Sequence, residues 1–342
     1  MADTPLPARP GAAVRAALRS RPVPVVVALL LVVAAVLTGW RVSDAGSGGR
    51  PQREAGFATG VPRGVYDLYG QLLRRYVGES VPGLHLRLDN SQGSVDNLER
   101  VVAGRDDFAI ATADAVTSFD KPGKPKLRAI ARLYDDYLQL VVPAGSKVEH
   151  VADLRGLRVG VGQGKSGVNL VTRRLLGAAG LDPDHDIVPL GLGVGDAADQ
   201  LRGGQLDAFF WSGGLPTAAL TDLAGRFPIR IVPLAELAEP LQRQEGGGAA
   251  AYRAATIPAN TYPGIRPADT PVPTVAVPNL LVTRDDVDPA LVQGVTRAVI
   301  DSRDTIGAQV HAAQLVDLRT AVYTDPLPLH EGARRYYTSV KP

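Results

Sequence analysis

The chain has 342 residues, enough for two α/β domains of ordinary size once a leader is set aside. Charged residues make up 21%, the formal net charge is +2 and aromatics are only 5%, so neither a global field nor a base-stacking surface marks a nucleic-acid binder. Cysteine is absent, and the five histidines form no H-x-x-x-H pair, which argues against disulfides, a cysteine nucleophile, a metal site or a metal cofactor.

The basic segment 1–21, with Arg9, Arg15, Arg19 and Arg21, precedes the uncharged run "PVPVVVALLLVVAAVLTGW", residues 22–40. That run is long enough to cross a bilayer as a helix, and arginines on its leading side predict a cytoplasmic N-terminus and an exported body. It serves either as a retained membrane anchor or as a signal cleaved near Ser43-Asp44-Ala45. Residues 41–56 read as a flexible Gly/Ser linker.

Beyond the linker, "GVYDLYGQLLRRYV" has apolar residues at helical spacing, and "LHLRLDN" alternates like a strand. "SQGSVDNLERVVAG" is a Ser/Gly loop entering a helix, "DFAIATADAV" a buried strand and turn, and "LRAIARLYDDYLQLVVP" a strand, a turn and a strand. The rhythm repeats through "LRVGVGQGKSGVNLVTRRLLGAAGL", "DIVPLGL", "VGDAADQLRGGQLDAFFWSGG", "LPTAALTDLAG" and "IRIVPL". Strands alternating with helices predict parallel sheet covered on both faces. The stretch from Gln242 to Pro273 is Gly/Pro/Ala-rich and reads as a long loop. Two long strands, residues 137–143 and 274–283, are expected to pair as hinges between lobe I (57–139 and 284–342) and lobe II (140–283), with the helix "PALVQGVTRAVIDSRDTIG" packing back on lobe I.

The loop "VGVGQGKSGVN" imitates two nucleotide motifs. As a P-loop it lacks the required glycine, because Val159 stands there. As a dinucleotide loop it lacks the acid that should end the next strand, since "DIVPLGLG" ends in Leu and Gly. What remains is a strand-to-helix turn whose free N–H groups attract an anion or another polar ligand, or a plain helix entry that binds nothing. Similar Ser/Gly helix entries occur at "NSQGSVDN" and "WSGGLPT", and all three follow strands, where open α/β sheets place their ligands. No G-x-S-x-G elbow surrounds Ser166 or Ser212, so no hydrolase is expected.

From Gly56 to Val340 the chain resembles TAXI proteins, the extracytoplasmic solute receptors of one class of TRAP transporters. The resemblance is carried by "TGVPRGVYDLYG", "SQGSVDNLERVVAGRDDFAIATADAV", "LRAIARLYDDYLQLVV", "VADLRGLRVGVGQGKSGVNLVTRRLLGAAGL", "GGQLDAFFWSGGLPTAALTDLA" and "IPANTYPG" leading to "TVAVPNLLVT", in that order. It implies an α/β, type II-like periplasmic-binding fold of two lobes that close on a small carboxylate or amino acid of the glutamate or 2-oxoglutarate kind. It also implies a non-enzymatic role, no cofactor, and delivery to a TRAP-type permease; a sensor kinase is the alternative partner. The chain departs from the family in carrying Lys165-Ser166-Gly167-Val168 where Gly-Ser-Gly-Thr is usual, Arg63 before Gly64, and "LYDD" for "LYPE".

Candidate ligand contacts follow from these loops. Ser91, Gln92, Gly93 and Ser94 form the first; the resemblance implies a ligand-contacting serine at Ser94, whose other reading is a plain N-cap, and Asn97 orients the loop or faces solvent. Tyr66 is expected to stack on the solute or to be a core aromatic with a wet hydroxyl. Ser166, Gly167 and Val168 form the second loop, with Lys165 and Arg63 as charged donors to an anion or as solvated surface cations. Trp211, Gly213 and Gly214 are expected to form a cleft wall, or Trp211 to be plain core; Pro216 joins them at the first turn of the next helix, and Tyr262 is expected to reach the cleft from the long loop or to pack within that loop.

Overall fold

The computed structural model describes residues 53–244 and 251–340. The basic segment and the apolar run of residues 22–40 lie outside the described residues. Among the described residues no helix is long and apolar enough to cross a membrane.

In chain order the elements begin with β1 (Arg53–Gly60), α1 (Val65–Ser80), β2 (Leu84–Asn90), α2 (Ser94–Val102), β3 (Phe108–Thr112), the short α3 (Ala113–Ser118) and β4 (Leu127–Pro143). Next come β5 (Arg158–Gly160), α4 (Gly167–Ala178), β6 (Val188–Leu190), α5 (Val194–Arg202), β7 (Ala208–Gly213), α6 (Ala218–Ala224), β8 (Ile229–Val232) and α7 (Ala238–Arg243). The chain then runs through β9 (Arg253–Ile257), β10 (Val272–Arg284), α8 (Pro289–Asp301), α9 (Arg303–Gly307) and α10 (Glu331–Val340). β1 begins inside the stretch read as linker. Its outer residues Arg53 and Glu54 are exposed, and only from Ala55 onward is the strand buried.

The strands form one mixed sheet in the order β2-β1-β3-β10-β4-β7-β5-β6, with β8 on β4 and β9 on β10. β1 pairs in parallel with β2 and β3, and β5 with β6 and β7. β10 and β4 run antiparallel to each other and to the strands flanking them, so the long pair interrupts the all-parallel pattern that the alternation predicts. This is the expected α/β periplasmic-binding-protein-like fold. β9 lies in the stretch read as a loop. Its exposed Arg and Ala give it no strand signature of its own, and it forms because the edge of β10 offers a ladder.

The core explains why the two long strands matter. One apolar cluster runs from Leu138 to Val277 and packs α4, α5 and α6 on β5–β8. Two others cover the faces of β1–β3, one under α1, α8 and α10, the other under α2 and α3. β4 contributes Ile130 and Tyr134 to the β1–β3 side and Leu140 and Val142 to the other. β10 does the same with Leu281 and Val277. The seam between the two halves therefore falls near Asp135–Tyr137 and Pro278–Asn279.

The sequence there reads as a turn, but β4 is continuous across it. Opposite Asn279 the register skips from Asp135↔Pro278 to Arg132↔Leu280, so Leu133 and Tyr134 face a single residue. Such a bulge bends a strand and re-aims its side chains. It also accommodates Pro278, which has no N–H for the ladder. Adjacent strand residues point to opposite faces. Asp135 accordingly pairs with Arg132 at 2.7 Å and with Arg253, while Asp136 points to the other side.

Candidate functional site

A small cavity of about 40 Å³ lies beside this seam. The β1–β3 half contributes Thr59, Gly60, Val61, Tyr66, Ser94 and Thr112, among others. The β5–β8 half contributes Gly162, Gln163, Ser166, Gly167, Leu192 and Trp211, and Asp136 comes from the shared strand β4. The size suits a few water molecules or a solute of a few non-hydrogen atoms.

The two helix entries nominated from sequence meet here. Gly93, at φ 124°, precedes α2, and a Cβ on it would come 3.2 Å from Ser166 Cα. A Cβ on Gly167, the first residue of α4, would lie 2.8 Å from Ser94 Oγ and 3.1 Å from Thr112 Oγ1. The glycines are there because the N-termini of α2 and α4 abut across the cleft, and no side chain fits between them.

Tyr66, Gln92, Gly93, Ser94, Ser166, Gly167, Val168, Trp211 and Gly213 all line the cavity. Ser94 is not the N-cap. That position is Gly93, and Ser94 Oγ accepts from Thr112 N at 3.2 Å, tying α2 to the end of β3. Ser166 is an N-cap: its Oγ accepts from Asn169 N at 2.9 Å and donates to the Gln163 carbonyl at 2.7 Å. Trp211 donates Nε1–H to Thr217 Oγ1 at 2.9 Å. Tyr262 stands behind it, buried, and its hydroxyl accepts from Thr217 N at 3.1 Å. It buttresses the wall and does not reach the cavity.

The remaining nominated residues lie outside the lining. Asn97 is fully buried and donates to the Ile110 carbonyl at 2.8 Å; Ser91 donates to Asn97 and accepts from Gly93 N at 3.1 Å, so this pair shapes the loop. Gly214 packs against Tyr134 and Ala312, and Pro216 lines a separate groove.

The two nominated cations are engaged elsewhere. Lys165 Nζ donates to Glu99 Oε2 at 2.7 Å, its N–H to Gln92 Oε1 at 3.1 Å, and its carbonyl accepts from Asp96 N at 3.0 Å. Lys165 thus stitches the α4 entry to α2. Arg63 reaches Asp222 of α6 at 3.5 Å. Both are exposed ion pairs joining the two halves.

The cavity's chemistry instead centres on residues absent from the nominated set. Asp136 is 3% exposed. It accepts from Asn279 Nδ2 at 2.6 Å and from Ser212 Oγ at 3.4 Å. Tyr66 Oη donates to Asn279 Oδ1 and sits 3.4 Å from Ser94 Oγ. Burial pushes the Asp136 carboxyl up to about 7; the Asn279 bond opposes that rise and the nearby Asp114 charge adds to it. Burial, followed by the charge of Asp136, holds the Tyr66 phenol well above its usual range.

A model of the NMT1-like family matches residues 57–339. The chain belongs to the NMT1-like family. Among solved structures, this NMT1-like protein is similar to a protein of Bordetella bronchiseptica RB50, at TM-score 0.50 and 20% identity over 86% of this chain and 91% of that one. It is also similar to a putative L-cystine ABC transporter from Listeria monocytogenes (TM-score 0.47, 16% identity, 78% of this chain and 98% of that one). A third is the alkanesulfonate-binding protein SsuA from Xanthomonas axonopodis pv. citri (TM-score 0.47, 16% identity, 86% of each chain).

The sequence did carry a signal for the residue it missed. Two adjacent carboxylates inside an otherwise apolar run are costly to bury and so mark a special position. Reading them as a turn hid it. Asn279, Thr59, Thr112, Gln163 and Ser212 carry no comparable signal; their role comes from where the fold places them.

Proposed function

We propose that this NMT1-like protein is an extracytoplasmic solute-binding protein that closes on a small organic solute of amino-acid or carboxylate size and presents it to a membrane transporter. The observation that carries this reading is the cavity itself. It is lined by apolar side chains with hydroxyls, amides and one acid set among them, walled by both halves of the sheet, and bordered by the paired strands β4 and β10, which among the described residues run through both. Two lobes joined by such strands, residues 57–139 with 284–342 and residues 140–283, open by small changes where the strands cross the seam. The lining offers hydroxyls, amides and one acid.

The finer reading is a TAXI-type receptor serving a TRAP-type permease, held at the extracytoplasmic face of the cell membrane through residues 22–40 or released after cleavage. The ordered motifs from Gly56 to Val340 and the arginine-flanked apolar run support it. The test is a thermal-shift screen of the full chain against amino acids, amines and di- and tricarboxylates, followed by calorimetry. A solute that binds N but not U raises the melting temperature by an amount that grows with the logarithm of its concentration above Kd. If no compound in these classes moves it, the solute-binding reading fails.

A further inference from the structure

Among the described residues the cavity is lined by an acid and by no cation. Neither Lys, Arg nor His lines it. Among the described residues the neighbouring basic side chains are committed elsewhere: Lys165 to Glu99, Arg63 to Asp222, and Arg132 and Arg253 to Asp135. Asp136 receives one short hydrogen bond, from Asn279, and one long one, from Ser212, out of about four acceptor positions on a carboxylate. A buried carboxylate with no counter-ion is costly, and a ligand that brings one recovers the cost.

A dicarboxylate does the opposite. It places further negative charge beside Asp136, in a field to which Asp114 already contributes; the N-termini of α2 and α4 offer partial positive charge to one carboxylate, such as a zwitterion's own, and no full cation offsets a second. The Tyr66–Asn279 bond has its own consequence. By donating to Asn279 Oδ1, Tyr66 fixes the amide so that its Nδ2 faces Asp136, which holds the carboxylate in one orientation at the seam. Tyr66 and Asn279 are positioning residues in this arrangement.

We propose that the site takes a small nitrogen-bearing solute of neutral or positive net charge, a monoamine or neutral zwitterion, with its ammonium on Asp136, and that it rejects dicarboxylates. This inference rests on the reading of the cavity as the solute site. It also removes Lys165 as an anion clamp and gives the discriminating role to the second acid of "LYDD".

Matched pairs test it by calorimetry on the full chain: glycine with acetate, L-alanine with propionate, and 4-aminobutyrate with succinate. The nitrogen-bearing member of at least one pair is expected to bind at least tenfold more tightly than its partner. Asp136→Asn, which keeps the shape and the Asn279 contact, is expected to weaken that member at least tenfold and to leave the acid bound no more weakly than before, or more tightly, since the repelling charge is gone. Acids binding as tightly as their amines overturn the inference while preserving the solute-binding reading. Amine binding untouched by Asp136→Asn removes Asp136 as its seat. If no member of any pair binds, the solute-binding reading falls and takes the inference with it. The pair comparison needs only the unsubstituted chain, so it decides the charge preference even if the variant does not fold.

Discussion

Asp136→Asn should stabilise the protein at pH 8 and not at pH 4. In the folded chain the carboxyl is pushed from its ordinary value of 3.8 up to about 7, with burial as the first cause. Between those values the folded state keeps a proton that the unfolded state has lost, so stability falls as pH rises and levels off above about 7. The interval corresponds to a ceiling of about 4 kcal/mol. Water entering the cavity with the ionised acid lowers it, so a gain of about 1–4 kcal/mol is expected from the variant at pH 8. The groups facing Asp136 are Tyr66 from α1, Asp114 at the start of α3, Ser212 on β7, Asn279 on β10 and, on its own strand, Tyr134. The variant leaves all of them in place, so the difference between variant and parent isolates this one carboxyl. The assay is urea unfolding at pH 4, 6 and 8, with midpoints and slopes compared. The reasoning is refuted if the gain is the same at pH 4 and pH 8, or if the variant is less stable at pH 8.

Lys165→Ala should weaken every ligand by a modest factor of about 1.5–5, whatever its charge, because it removes an exposed cross-cleft pair worth about 0.2–1 kcal/mol; titration in low and high salt checks this, and a loss confined to anions would restore the clamp reading. Gly167→Ala sets a methyl group 2.8 Å from Ser94 Oγ, so ligand affinity should drop at least tenfold while the melting temperature stays within a few degrees; unchanged affinity would mean that the two helix entries separate at no cost. Tyr252→Phe removes the hydroxyl that donates to Asp114 Oδ2 at 2.6 Å and accepts from Arg174 Nη1 at 2.9 Å; since both partners are charged, urea unfolding should show a loss of about 1.5–3 kcal/mol. A loss below about 0.5 kcal/mol would show that Arg174 and Asp114, 3.9 Å apart, compensate directly.

The glycine loop shows how local patterns were legible and their partners were not. A strand followed by a Gly/Ser turn and a helix was readable at "VGVGQGKSGVN", and so was its likeness to "NSQGSVDN". Both turns line the same cavity. Lys165, one position away from that lining, was read as a ligand donor, yet Glu99 lies 2.7 Å from its ammonium. An ion pair between residues 66 positions apart leaves no mark on either local pattern.

Sequence alone determined the alternation of strands and helices, the two long strands, the helix entries and the order of motifs. Each of these depends on residues within a few positions of one another: apolar periodicity, turn glycines and small caps. Tertiary structure decided that Asp135 and Asp136 lie in one continuous strand, because the ladder to β10 absorbs the irregularity as a bulge opposite Asn279. It also decided that β9 exists, because an edge strand is templated by its neighbour and not by its own side chains. Finally it decided the charge of the cavity. Burial and counter-ions depend on everything packed around a group, and only in the folded chain does Asp136 stand enclosed while Arg63, Arg132, Lys165 and Arg253 are spent on other acids.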